Sequence, residues 1–243
     1  MATKSWKNLR NLIIVACHAV YTADDFARPE ADSSWCLQPF QKGEPPAYIE
    51  HIRSGIELTA RDAQALLLFS GGQTRSEAGP RSEAQSYWLL AEHFNWWGSE
   101  SVRERASTEE FARDSFENLL FGICRFRECA ESYPQSVTIV SWGFKQERFD
   151  LHRSAIRFPE KRFRFVGPNN PAALAEAIEG ERRNGIEPFT RDPFGVCELN
   201  VKRQARNPFN RQNPYRISCP EIAPLLEHSG RELYSGPLPW DGE

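Results

Sequence analysis

The sequence has no apolar run long enough to cross a bilayer, because its best early candidate, Leu12 to Val20, is broken by Cys17-His18 and falls well short of about 20 residues. The polar stretch before it carries Lys4, Lys7 and Arg10, and no cleavage site of small residues follows, so neither anchor nor export signal is expected. The cytoplasm is the expected compartment. Charge of one sign is also missing: 30 Lys and Arg against 33 Asp and Glu leave a net charge of −3. That excludes the global field by which a protein gathers nucleic acid or anionic membrane, so neither is expected as a partner. The six cysteines form no C-x-x-C pair and no Cys/His zinc spacing. They are expected as reduced thiols, with no metal site. Internal repeats, a Walker A loop, the three-glycine dinucleotide fingerprint and a nucleophile elbow are absent too.

What is present is an alternation of short apolar runs with amphipathic stretches. Its 243 residues suffice for one large α/β domain, here a core of about 12–184 and a strap of about 185–243. Leu12 to Ala16, Ala65 to Phe69, Val137 to Val140 and Arg164 to Val166 read as strands of a mainly parallel sheet buried on both faces. A weaker strand is placed at Ser101 to Ala106. Ile49, Ile52, Ile56 and Ala60 mark a helix over 47–62, with Gly55 as its weak spot, and Ser82-x-x-Gln85 caps the helix whose stripe is Ala84, Tyr87, Trp88, Ala91 and Phe94. Two overlapping capping boxes, beginning at Ser107 and at Asp114, compete to start the helix that carries Phe116, Leu119, Leu120 and Ile123. A helix over 145–158 follows, and Asn170 with Pro171 is expected to open another. The expected fold is a Rossmann-like three-layer α/β/α sandwich. The Arg-, Asn- and Pro-rich strap is read as extended, and its Phe209, Tyr215, Ile217, Leu225, Leu226 and Trp240 predict that it packs on the domain.

Polar or glycine-rich residues gather where the strands end: His18, Ser70-Gly71-Gly72, Ser141-Trp142-Gly143 and Gly167-Pro168-Asn169. In an open parallel sheet that edge binds ligands. Ser70, Gly71, Gly72, Gln73 and Thr74 are read either as a cradle of backbone N–H groups for an anion or as a tight structural turn. Glu83 is either an acid/base group or a residue favoured in a first turn by the helix dipole. Asn118, poorly suited to a helix interior, needs a polar partner. Ser141, Lys145 and Arg148 follow the third strong strand, and cations that open a helix against its dipole make sense if they hold an anion; a solvated charged face is the other reading. His18 is either a general acid or base or a buried histidine satisfied by the backbone. Arg203, Arg206 and Arg211 are read as neutralising acidic surface or closing the pocket.

Ser70-Gly71-Gly72, Ser82-Glu83-Ala84, the stretch Glu109 to Asn118 and the stretch Ser141 to Arg148 together resemble, in order, the four motifs of the YdcF-like domain of unknown function, to which bacterial SanA and ElyC belong. The resemblance covers roughly 12–166. Ala16-Cys17-His18 stands where bacterial relatives have a Gly-rich turn, and Lys145 where they have a histidine, which with the strap points to the fungal and plant branch. The resemblance implies a Rossmann-like fold and a nucleotide-like ligand, with S-adenosylmethionine as the cofactor it brings to mind. The expected function is therefore an enzyme acting on a phosphorylated or nucleotide-like small-molecule anion, with Gly71, Gly72, Lys145 and Arg148 holding the anion and His18 or Glu83 moving protons. The alternative is a nucleotide sensor without chemistry.

Overall fold

The computed structural model describes residues 6–242. The chain runs through β1 (Asn11–Ala16), a two-residue ribbon of β2 (Val20–Tyr21) and β3 (Trp35–Cys36), α1 (Pro45–Ala60), β4 (Ala65–Ser70), α2 (Glu83–His93), the short α3 (Glu100–Arg103), β5 (Ala106–Glu109), α4 (Ser115–Ala130), β6 (Ser136–Val140), α5 (Gln146–Ala155) and β7 (Phe163–Val166). The five long strands form one fully parallel sheet in the order β5-β4-β1-β6-β7. This is the doubly wound Rossmann-like arrangement: winding goes outward from β1 through β4 to β5, then reverses through β6 to β7. The reversal lies between β1 and β6, and such a switch point opens a crevice beyond the strand ends.

Alternation along β1 and β4 assigns the two cores. Leu12, Ile14, Leu66 and Leu68 face α4 and α5, while Ile13, Val15, Leu67 and Phe69 face α1 and α2. Helices close onto the central strand through one glycine each. A Cβ on Gly55 of α1 would stand 2.3 Å from Val15 Cγ2, and one on Gly122 of α4 would stand 2.4 Å from Ile14 Cδ1. Gly55 is thus a close-packing position rather than the weak spot its helix propensity indicates.

Several local expectations are corrected. The third strand is Ala106–Glu109, and the stretch before it is the short helix α3. Of the two competing capping boxes, Asp114 wins: its Oδ1 accepts the Glu117 N–H at 2.9 Å, while Ser107 lies in β5. Asn170 caps no helix. Its Oδ1 accepts the Phe144 N–H at 3.0 Å, and the next helix, α6 (Leu174–Glu181), starts four residues later. The strap is not extended, for it continues through a π-turn at Arg182–Ile186 into α7 (Glu187–Arg191), α8 (Asn200–Ala205), α9 (Tyr215–Ser218) and α10 (Ala223–Leu226). It does pack: Phe189, Phe194, Tyr215, Leu225 and Trp240 are buried in the core beside α4 and α5. Phe209 and Ile217 are exposed. Among the described residues no helix is long and apolar enough to cross a membrane, and the six cysteines are free thiols.

Candidate functional site

Beyond the ends of β1 and β6 lies a cavity of about 140 Å³. Its wall includes His18, Glu83, Asn118, Ser141, Lys145 and Arg148, six of the residues singled out in the sequence. The other five are close by but turned to different work. Ser70 Oγ donates to Glu109 Oε2 at 2.7 Å, and Asn118 Nδ2 donates to Ser70 O and Oγ at 2.8 and 2.9 Å, which is the polar partner the helix-borne Asn118 needed. Thr74 Oγ1 donates to Glu83 Oε1 at 2.5 Å. Gln73 is half-buried and off the wall.

For Gly71 and Gly72 the cradle reading is corrected. Their N–H groups are already used, by Glu109 O at 3.0 Å and Ala112 O at 2.7 Å, and their carbonyls accept from the first residues of α2, Ala84 and Glu83. A Cβ on Gly72 would stand 2.9 Å from Ala112 O, and one on Gly71 would stand 2.8 Å from Glu83 Oε2. These glycines let the 110–112 loop and α2 approach the end of β4; they present no free donors to a ligand.

The positive charge of the wall comes from separate parts of the chain. Lys145 and Arg148 begin the segment after β6, Arg75 lies between β4 and α2, Arg113 precedes α4, and Arg206 comes from the end of α8 in the strap. Arg113 pairs with Glu117 at 2.5 Å and Arg148 with Glu181 at 2.7 Å. Among the described residues Lys145, Arg75 and Arg206 have no carboxylate partner. Burial, followed by the like charge of Arg148, presses the Lys145 ammonium down to about 8. An unpaired, desolvated cation is poised to gain from an arriving anion. Arg75 and Arg113 were not assigned to the site from sequence, since each lies in a loop whose position only the fold determines.

Two groups suited to proton transfer face these cations. Burial is the main cause that keeps His18 neutral, well below the usual imidazole range, with Lys145, His51 and Arg148 adding to it. Its Nε2 is 3.5 Å from Ser141 Oγ, and its ring packs among those of Tyr48, His51 and Trp142. Burial likewise raises the Glu83 carboxyl, although the Thr74 hydroxyl and the cations Arg206, Arg75 and Lys145 oppose the shift. A carboxyl whose pKa is raised and a neutral imidazole on one wall are complementary partners for moving protons. At the mouth Phe40 presents a ring that is 76% exposed.

Of the three strap arginines, two take up the expected positions, against buried acid and at the cavity, and the third does neither. Arg203 Nε lies 2.6 Å from Asp114 Oδ2 and 3.5 Å from Glu117 Oε1, so it neutralises buried acid at the start of α4. Arg206 closes the cavity. Arg211 binds Glu110 O at 2.9 Å and lies over the Phe111 ring.

Fold and cavity define a doubly wound α/β protein with a cation-lined crevice at the switch point of its sheet. The chain is 30% identical over 275 residues to an uncharacterized protein of Saccharomyces cerevisiae, YOR238W, across 89% of this chain and 90% of the yeast protein. It belongs to the family of that yeast protein. No protein-family profile and no solved structure matches the chain.

Proposed function

We propose that the protein is an enzyme that binds a phosphorylated small molecule at the carboxyl edge of its sheet. The observation that carries this reading is the convergence of Lys145, Arg148, Arg75, Arg113 and Arg206 on one cavity, three of them without a carboxylate partner. Positive charge without a carboxylate partner, desolvated at Lys145, is unfavourable in the free protein and is relieved by an anion. The enclosed volume, about 140 Å³, is below the roughly 300–1,000 Å³ of pockets that engulf a drug-sized ligand. The buried part of the ligand is then a phosphate or diphosphate head, and the rest lies in the mouth against Phe40. An unpaired ring beside a phosphate site suits the base of a nucleotide.

The YdcF-like resemblance suggests S-adenosylmethionine as a cofactor. The residues fit it poorly, because its sulfonium cation would share the cavity with Lys145, Arg75 and Arg206, which have no carboxylate partner among the described residues. A phosphate fits them. His18, as base, and Glu83, as acid, are the groups that would move protons at the bound head. The free thiols accord with a reducing compartment such as the cytoplasm.

Calorimetric titration with inorganic phosphate and with adenosine monophosphate tests this. Both are expected to bind, and Phe40→Ala should weaken the nucleotide by roughly 5- to 150-fold, the equivalent of about 1–3 kcal/mol of stacking, while leaving phosphate unaffected. A protein that takes up neither ligand would refute the reading.

A further inference from the structure

A second pair of reactive groups, distinct from His18 and Glu83, starts at the same cavity wall with Ser115 and continues behind it with His152. Ser115, in the first turn of α4, lines the cavity, and its Oγ lies 2.8 Å from Nε2 of His152 on α5. His152 is fully buried, with the rings of Phe116, Phe149 and Phe189 at centroid distances of 5.6, 5.7 and 4.4 Å. Its Nδ1 has no hydrogen-bond partner among the described residues. Burial first, then the charge of Arg148, keeps this imidazole neutral and able to accept a proton. The 16-residue helix α4 directs the positive end of its dipole at Ser115, where it favours negative charge developing on Oγ. A serine that lines a ligand cavity, with its hydroxyl against a neutral histidine, has the arrangement of a nucleophile with its base.

We propose that Ser115 is the phosphoryl acceptor of this cavity and that His152 takes its proton. This rests on the reading of the cavity as a phosphate site. In the first half of the reaction the Oγ–P bond forms as the bond from phosphorus to the leaving oxygen breaks. The Ser115 proton passes to His152 Nε2, and Glu83 protonates the departing oxygen. In the second half water attacks phosphorus and gives its proton to Glu83, the P–Oγ bond breaks, and His152 returns its proton to Oγ. Phosphate leaves, no electrons are transferred overall, and both acid/base groups are restored.

Monofluorophosphate is the probe, because it is the size of phosphate and its fluoride leaving group requires no acid. The parent protein should release fluoride and, after acid quench, carry one phosphoryl group on the peptide containing Ser115. Ser115→Ala should abolish both. His152→Gln retains an amide nitrogen where Nε2 stands but provides no base, and it should slow fluoride release by about 100-fold or more. If the histidine only ties α5 to α4, His152→Gln will release fluoride at the parent rate with an unchanged melting temperature, and the proposal is overturned. Fluoride release no faster than in buffer, or undiminished in Ser115→Ala, overturns it equally. Parallel calorimetry with inorganic phosphate separates the two readings: phosphate binding without Ser115 chemistry removes this inference alone, whereas absence of binding removes the phosphate site itself.

Discussion

Lys145 and Arg148 stand side by side on the cavity wall, yet their physical situations differ. Arg148 is neutralised by Glu181, so Arg148→Ala removes a proposed ligand contact and also strands a carboxylate that is only 6% exposed. Lys145 has no such partner, and its removal should affect binding more than stability. Its pKa of about 8 sets a direction with pH. Above pH 7 a phosphate monoester is already dianionic, its second pKa being about 6. The ligand charge is then constant, while the ammonium is lost as pH rises through about 8. Affinity for adenosine monophosphate should therefore fall between pH 7 and 9 in the parent and stay flat in Lys145→Ala, which should bind about 10- to 100-fold more weakly at pH 7; calorimetry across that range is the check. Gly72 behaves differently from a ligand cradle. Its Cβ would meet the backbone of the 110–112 loop, so Gly72→Val should act as an overpacking substitution and destabilise by about 1–3 kcal/mol, visible in a urea titration with phosphate absent. At this scale the sequence was informative where a residue type was chemically out of place, as with Asn118 in a helix or Lys145 at a helix start. It could not decide between the two readings of Gly71 and Gly72, because a glycine that yields space to a distant carbonyl looks the same in sequence as one that faces a ligand.

Element by element, the strands were readable because burial on both faces demands continuous apolar runs, and α1, α2 and α4 because amphipathic stripes repeat at helical spacing. The short helices of the strap were not. A helix of four to six residues has no stability of its own, so only tertiary contact decides where it forms. The contact that fixes α8 is Arg203, 5% exposed, held between Asp114 and Glu117 at the start of α4. Burial alone would raise the Asp114 carboxyl, but Arg203 outweighs it and brings the group down to about 2. Its folded value therefore lies below the roughly 3.9 of an unfolded aspartate. Stability from this pair is present above pH 4 and lost as pH falls toward 2. Arg203→Ala should cost about 3–5 kcal/mol at neutral pH, because two carboxylates remain buried with less compensation. Chemical denaturation at pH 7 and pH 3 checks both parts: the variant should be the less stable at pH 7, and the gap should narrow at pH 3. The same variant should weaken phosphate binding, since Arg206, three residues on, depends on α8 for its place at the cavity.

On the scale of the whole molecule, the strap is part of the core beside α4 and α5, and its unfolding should not separate from that of the sheet. Trp240 is 2% exposed, donates its Nε1–H to Ile156 O at 2.8 Å and packs against Phe158 and Tyr133. Arg157 reaches across to accept the return of the chain, donating to Gly236 O at 2.7 Å and to Asp241 Oδ2 at 2.6 Å. Composition indicated that these aromatics would be covered; it could not indicate by what, since the covering surface is assembled from α4, α5 and the turn after α5. With Trp240 and Asp241 anchored there and Arg203 holding the middle, the described part of the strap is tied to the core at both places and should not open independently at low cost. Trp240→Ala should lower stability by about 3–5 kcal/mol through the cavity it leaves, with the urea transition remaining single and coincident by fluorescence and circular dichroism. Trypsin should then cleave the native parent slowly between Arg191 and Arg216, despite the arginines there, and cleave Trp240→Ala faster in proportion to its larger unfolded population. Rapid trimming of the parent within that span, with the remaining core still giving a cooperative transition, would show that the strap is an appendage. The cationic cavity would then have to be complete without Arg206.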